Sequence, residues 1–159
     1  MSSEINTEGQ TIRSVLENGA SQHPDRLFAI FPETEVQSTW AEIALAARST
    51  AESLAALGLL QGEAVGVLAG NSKTTLELFL GSMFGGFITT VFNPLAGQNQ
   101  LNYVVDHSEV RVLLVSQDHL QLGNNAARAS SRPVSLIRND PPDWPIEISQ
   151  RDLLDPRPN

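Results

Sequence analysis

The chain has no cysteine, which excludes a disulfide framework, a thiolate metal site and a thiol nucleophile. It has one lysine, Lys73, and its other basic side chains are arginines scattered singly along the sequence. Ten basic residues against eighteen acidic ones leave a formal charge of −8. With no basic patch to offset that surplus, binding to a nucleic-acid backbone is unfavourable. No apolar run reaches membrane-spanning length. The opening MSSEINTEGQ lacks the basic start and apolar centre of a secretory signal, so a cytoplasmic location is expected. There is no internal repeat and no low-complexity tract.

What is present is periodic. Hydrophobic residues make up 41% of the 159, and they cluster in segments rather than spreading evenly, which favours one folded domain over disorder. The organising stretch runs from Leu57 to Pro94. Ala64 to Ala69 is a short apolar run between Gly62 and Gly70, the pattern of a strand covered on both faces. Asn71 and Ser72 form a polar turn. Leu76, Phe79, Leu80, Met83, Phe84 and Phe87 then recur at helical spacing, predicting a core-facing helix that the Gly85-Gly86 pair ends. Ile88 to Phe92 is a second strand, and a right-handed crossover between the two makes them parallel.

The remainder extends the alternation. Ile12, Val15 and Leu16 mark the apolar face of a first helix, broken at Gln22-His23-Pro24-Asp25. Leu27 to Phe31 and Val36 to Ser38, joined by Pro32-Glu33-Thr34-Glu35, predict a hairpin at a sheet edge. Thr39-Trp40-Ala41-Glu42 has the capping-box pattern and announces a helix whose stop falls at Gly58. A helix over 97–107, a buried strand over 110–115, a helix over 120–129 and a strand over 134–137 follow. The expected fold is therefore α/β: a mainly parallel, doubly wound sheet covered by helices, with an antiparallel hairpin at one side. Residues 1–10 read as a polar arm, 11–138 as the α/β domain and 139–159 as a proline-rich, linker-like tail. In that tail Ile146 to Ser149 reads as extended, a turn of helix is expected near Leu153, and Trp144 either pins the tail or meets another region.

Several residue groups invite a functional reading. Gly66 to Thr74 lies between a strand and a helix and carries a lysine and a threonine, but Asn71 and Ser72 separate Gly70 from Lys73. A phosphate loop needs glycine directly before the lysine. A turn and helix cap explain the stretch, with a weak anion site at the helix start as the alternative. Asn93-Pro94 stops a strand at the carboxyl edge, where ligands of open α/β sheets gather, and in a larger enzyme that edge could border an acyl pocket. His23, His107 and His119 share no metal-ligand spacing. Asp106 and Glu109 form a carboxylate pair of the kind common at helix ends, and His107 suits a helix C-terminus.

Six segments share one further property. His23-Pro24-Asp25-Arg26, Ser38 to Ile43, Leu57 to Ser72, Leu80 to Gly86, Val91 to Pro94 and Leu101 to Val115 resemble, in order and interval, the opening of the adenylate-forming superfamily of acyl-CoA synthetases, luciferases and peptide-synthetase adenylation domains. The similarity to acid–CoA ligases is strongest. It implies the N-terminal part of an enzyme that joins a carboxylic acid to the α-phosphate of ATP, releases pyrophosphate and passes the acyl group to coenzyme A. Such a ligase uses ATP, magnesium, a Ser/Thr/Gly-rich phosphate loop and a lysine from a C-terminal domain, all stabilising negative charge. None of those motifs occurs in these 159 residues, so no catalytic, cofactor-binding or metal-binding residue is assigned. The chain alone is expected to be inactive, with the remainder of the ligase or a complementary subunit as partner; if that remainder covers a sheet edge or an apolar face, the lone chain is expected to self-associate or to expose a sizeable patch. The second reading is a free-standing, non-catalytic α/β module that binds an acyl ligand or a partner protein.

Overall fold

The computed structural model describes residues 9–139 and the two-residue strand Leu153–Leu154. In chain order the elements are α1 (Ile12–Gln22), β1 (Leu27–Phe31), β2 (Val36–Thr39), α2 (Trp40–Ala56), β3 (Ala64–Leu68), α3 (Lys73–Phe84), β4 (Ile88–Phe92), α4 (Gln98–His107), β5 (Val110–Val115), a 3-10 turn (Gln117–His119), α5 (Leu120–Ala129), β6 (Ser135–Arg138) and β7 (Leu153–Leu154). The main sheet has the order β4-β3-β5-β6-β7. Its first four strands are parallel, and β7 joins antiparallel to β6. The helix expected near Leu153 is thus a strand; two leucines are too few to set a helical period and pair readily with an open sheet edge. Trp144 and the segment 146–149 lie outside the described residues.

Every residue of β3 is buried, because helices cover both faces. Val65 and Val67 face one side and pack with Leu54 of α2, Leu78 of α3 and Phe87. Ala64 and Leu68 face the other and pack with Leu101 and Val105 of α4 and Ala126 and Ala127 of α5. The strand alternation of side chains serves two cores at once. A third cluster joins Leu16 of α1 to Ile43, Ala47 and Ala51 of α2 and Phe84 of α3. Val15, expected on the inner face of α1, is 36% exposed; Leu16 alone among the residues of that helix is buried.

Helix starts follow the expected chemistry. Thr39 caps α2, accepting from the Glu42 N–H while its own N–H donates to Glu42 Oε2 at 2.8 Å. This holds the Glu42 carboxyl below its usual range, chiefly through that backbone bond. Thr11 and Ser14 form the same reciprocal box at α1. Past α2, Gly58 takes φ +85°, the left-handed conformation its position in the sequence predicts.

Two differences from expectation have packing causes. The hairpin β1-β2 is a two-stranded sheet of its own beside the parallel sheet, bonded to no other strand among the described residues. Helix α3 is wedged between the sheet and the helices α1 and α2, so it buries more than one stripe. Its buried residues are Glu77, Leu78, Gly81, Ser82 and Phe84, while Leu76, Phe79, Leu80 and Met83 of the expected stripe are half-buried. Gly81 is where α3 meets α2: a Cβ there would lie 2.7 Å from Thr50 Cγ2 and 3.0 Å from the Ala47 carbonyl oxygen.

That contact sets the sign of a substitution. In an uncrowded helix Gly→Ala stabilises by up to about 1 kcal/mol, but here the added methyl meets backbone. Gly81→Ala is expected to destabilise by about 1–3 kcal/mol, read as a lower urea midpoint. Gly70→Ala, where a Cβ would meet nothing within 4 Å, serves as the control and should leave the midpoint nearly unchanged.

Candidate functional site

From β3 the chain passes through α3 to β4 on one side, then through α4 to β5 on the other. The crevice outside the carboxyl ends of β3 and β5 is therefore the topological switch point, where open α/β sheets bind ligands. A cleft of about 460 Å³ lies there, lined by the loop after β3 (69–72), the start of α3, the turn after β5 and Asn139 after β6.

The loop after β3 is fixed by its own side chains. Ser72 caps α3, accepting from the Thr75 N–H at 3.1 Å, and the Thr75 hydroxyl donates to the Gly70 carbonyl at 2.6 Å. The amides of Lys73 and Thr74, at the first two helical positions, have no carbonyl one turn back to reach and open toward the helix start. Lys73 is not part of the cleft wall. Its ammonium lies 3.7 Å from Glu77 Oε1, so lysine and loop amides do not converge as a phosphate loop requires. The turn cap foreseen from Asn71 and Ser72 is what this stretch provides.

Across the cleft, Ser116 Oγ and His119 Nδ1 are 2.8 Å apart. Asn139 is 2% exposed, its main-chain N–H donates to the Val115 carbonyl at 2.9 Å, and its buried Oδ1 has no hydrogen-bond partner among the described residues. Among the described residues the cleft's one carboxylate is Asp118, and no arginine or lysine lines it. The arrangement presents hydroxyls, amides and one imidazole, groups that hold a polar ligand by hydrogen bonds.

The other sequence candidates are placed structurally. Asn93 Oδ1 accepts from the Leu95 N–H at 2.9 Å, forming an Asx turn that closes β4. Asp106 Oδ1 accepts from the Ser130 and Ser131 hydroxyls and the Ser131 N–H, at 3.0, 2.7 and 2.7 Å. These bonds hold its carboxyl below the usual range, Ser131 being the main cause. Glu109 pairs with Arg132 at 2.9 Å, so the Asp106–Glu109 pair ties the end of α4 to the loop before β6. His107 stacks on Tyr103 in the last turn of α4. Among the described residues no group of three His, Asp or Glu is placed to hold a metal ion, and no helix is long and apolar enough to cross a membrane.

Glu77, which the sequence reading passed over, is the unusual carboxylate. It is 8% exposed, and burial pushes its pKa above the ordinary 4.5, with Lys73 only partly offsetting the shift. A polar residue inside an apolar helical stripe is the one signal that marks it in the sequence.

The profile of the AMP-binding enzyme family matches residues 16–158, and the chain belongs to that family. It is 29% identical over 154 residues to a sulfoacetate–CoA ligase of Cupriavidus necator, covering 93% of this chain and 30% of the relative. It is 30% identical over 125 residues to a 3-methylmercaptopropionyl-CoA ligase of Ruegeria lacuscaerulensis, covering 77% and 23%. Among solved structures, a luciferase-like enzyme from the mealworm Zophobas morio superposes with a TM-score of 0.78 at 15% identity, over 84% of this chain and 32% of that one. A benzoate CoA ligase from Burkholderia xenovorans gives 0.72 at 22%, over 83% and 26%. The chain thus spans less than a third of the length of these proteins, and its fold is that of the corresponding part of adenylate-forming enzymes.

The sign of the Glu77 shift makes a pH prediction. Its folded pKa lies above the unfolded value, so its contribution to stability is full below the unfolded pKa and is lost as pH rises through the folded pKa. Glu77→Gln removes that loss: the stability of the variant minus that of the parent is expected to grow from about pH 4 to about pH 7. Urea titrations across that range check it, and a difference that shrinks with pH would contradict the assignment.

Proposed function

We propose that the chain is the N-terminal part of an ATP-dependent, AMP-forming acid–CoA ligase, and that by itself it does not form acyl-adenylate. The observation that carries this reading is the family match over 16–158 combined with coverage of only 30% and 23% of the two ligase relatives. Acyl-adenylate formation brings a carboxylate oxygen onto an anionic phosphorus, so the transition state needs concentrated positive charge. Among the described residues no lysine or arginine lines the carboxyl-edge cleft, and the one imidazole there, His119, is hydrogen-bonded to Ser116. ATP, magnesium and coenzyme A are therefore assigned to the complete enzyme, and no residue of this chain is given a catalytic, nucleotide-binding or metal-binding role.

The remainder of the ligase is the proposed partner. Two features support a covered surface in the complete protein. Among the described residues the outer edge of β4 pairs with no strand, and Ile88 and Val91 on it are 59% and 49% exposed. Ile30 of the separate hairpin is 56% exposed. Long apolar strand edges of this kind are normally protected in folded proteins.

Acid-dependent exchange of labelled pyrophosphate into ATP tests the reading. The 159-residue chain is expected to show none above background, and the chain extended by the rest of its reading frame is expected to show it. Exchange by the 159 residues alone would overturn the proposed inactivity; an extended chain that exchanges with no carboxylic acid would overturn the ligase assignment.

A further inference from the structure

A second cavity, of about 320 Å³, lies between α1, α2 and the end of α3, near the amino ends of β3 and β4. Its apolar walls are Ala51, Leu59, Phe84 and Phe87, each buried in the fold. Arg13 from α1 and Arg48 from α2 converge there although they are 35 positions apart in sequence: their guanidinium carbons lie 4.8 and 6.0 Å from the centroid of the same Phe84 ring. In a chain of charge −8 this brings two like charges onto one aromatic ring.

The two arginines are not equivalent. Arg48 pairs with Glu17 Oε1 at 2.9 Å. Arg13 Nε donates to the Phe84 carbonyl at 3.2 Å, in the last turn of α3 where positive charge is favoured. Among the described residues no carboxylate lies within ion-pair distance of Arg13. Its two terminal nitrogens, fixed in plane by the bond at Nε and by the ring beneath, form a fork of the shape that binds a carboxylate bidentately. Glu17 and Glu52 also line the cavity, and their charge disfavours a dianion. A cavity of this volume with apolar walls and a few polar groups is at the small end of ligand sites.

We propose that this cavity binds a small amphipathic monocarboxylate, its head on the free nitrogens of Arg13 and its hydrocarbon body over Ala51, Leu59 and Phe87. Arg48 adds long-range attraction while remaining paired with Glu17. The inference does not rest on the ligase reading, since none of these residues belongs to the carboxyl-edge cleft.

The test is an NMR titration of the 159-residue chain with hexanoate, hexanol and inorganic phosphate. Hexanoate is expected to saturate with shifts centred on Arg13, Ala51 and Phe84, and the other two probes to bind at least about tenfold more weakly. Arg13→Gln should weaken hexanoate binding by about tenfold, measured at a temperature where the variant's NMR spectrum shows it folded. Ala55→Leu, at an exposed position of the cavity wall, keeps both guanidinium groups and should weaken it as well by filling the space. If Arg13→Gln does not fold, Ala55→Leu decides: weakened binding supports the site and unchanged binding overturns it. Phosphate binding as tightly as hexanoate, hexanoate affinity untouched by Arg13→Gln, absence of saturation, or shifts confined to the carboxyl-edge cleft would each overturn the proposal. Only the last of these would leave the ligase reading strengthened.

Discussion

The two-sided burial of β3 and β5 is the constraint on which the rest of the molecule depends. A strand with apolar side chains on both faces is stable only if helices cover both, and each such side chain removed from water contributes on the order of 1.5–3 kcal/mol. In β5, Val112 and Leu114 enter the core shared with α2 and α3 while Leu113 and Val115 enter the core shared with α4 and α5. Parallel pairing demands crossovers, the crossovers supply the helices, and the helices supply the burial. The crevice at the carboxyl edge is a geometric by-product of the same arrangement, opened where successive crossovers set β4 and β5 on opposite sides of β3.

Charge is used locally rather than globally. The surplus of acid is distributed into junctions: Glu42 caps α2, Asp106 binds the loop before β6, and Glu63 accepts from the Leu60 N–H and pairs with Arg111. In each case hydrogen bonding to the ionised form lowers the carboxyl pKa. Glu77 runs the other way, being desolvated inside the α2–α3 interface with Lys73 as its main compensation. The lone lysine is therefore a partner of a buried carboxylate. Arg13 and Arg48 show the complementary case, in which folding concentrates basic residues that the sequence disperses.

Membership of the AMP-binding family and the small fraction of each relative that the chain covers fit the distribution of chemistry in the fold. The described part offers a rigid parallel sheet, a polar cleft and a bare strand edge.

The sequence by itself determined the alternation of strands and helices, the parallel pairing of β3 and β4, the α2 capping box and the family, because all of these are written in local periods and motifs of a few residues. Its hairpin was legible too, though not that the hairpin forms a separate sheet. Tertiary structure alone decided which way α3 turns, since a helix packed against both sheet and helices has no single apolar stripe to read. It also decided that Leu153–Leu154 pairs with β6, that Glu77 is buried, that Asn139 lines the switch-point cleft, and that Arg13 meets Arg48 over Phe84. Each of these depends on residues far apart in the chain becoming neighbours, and distance in space is not encoded in any local pattern.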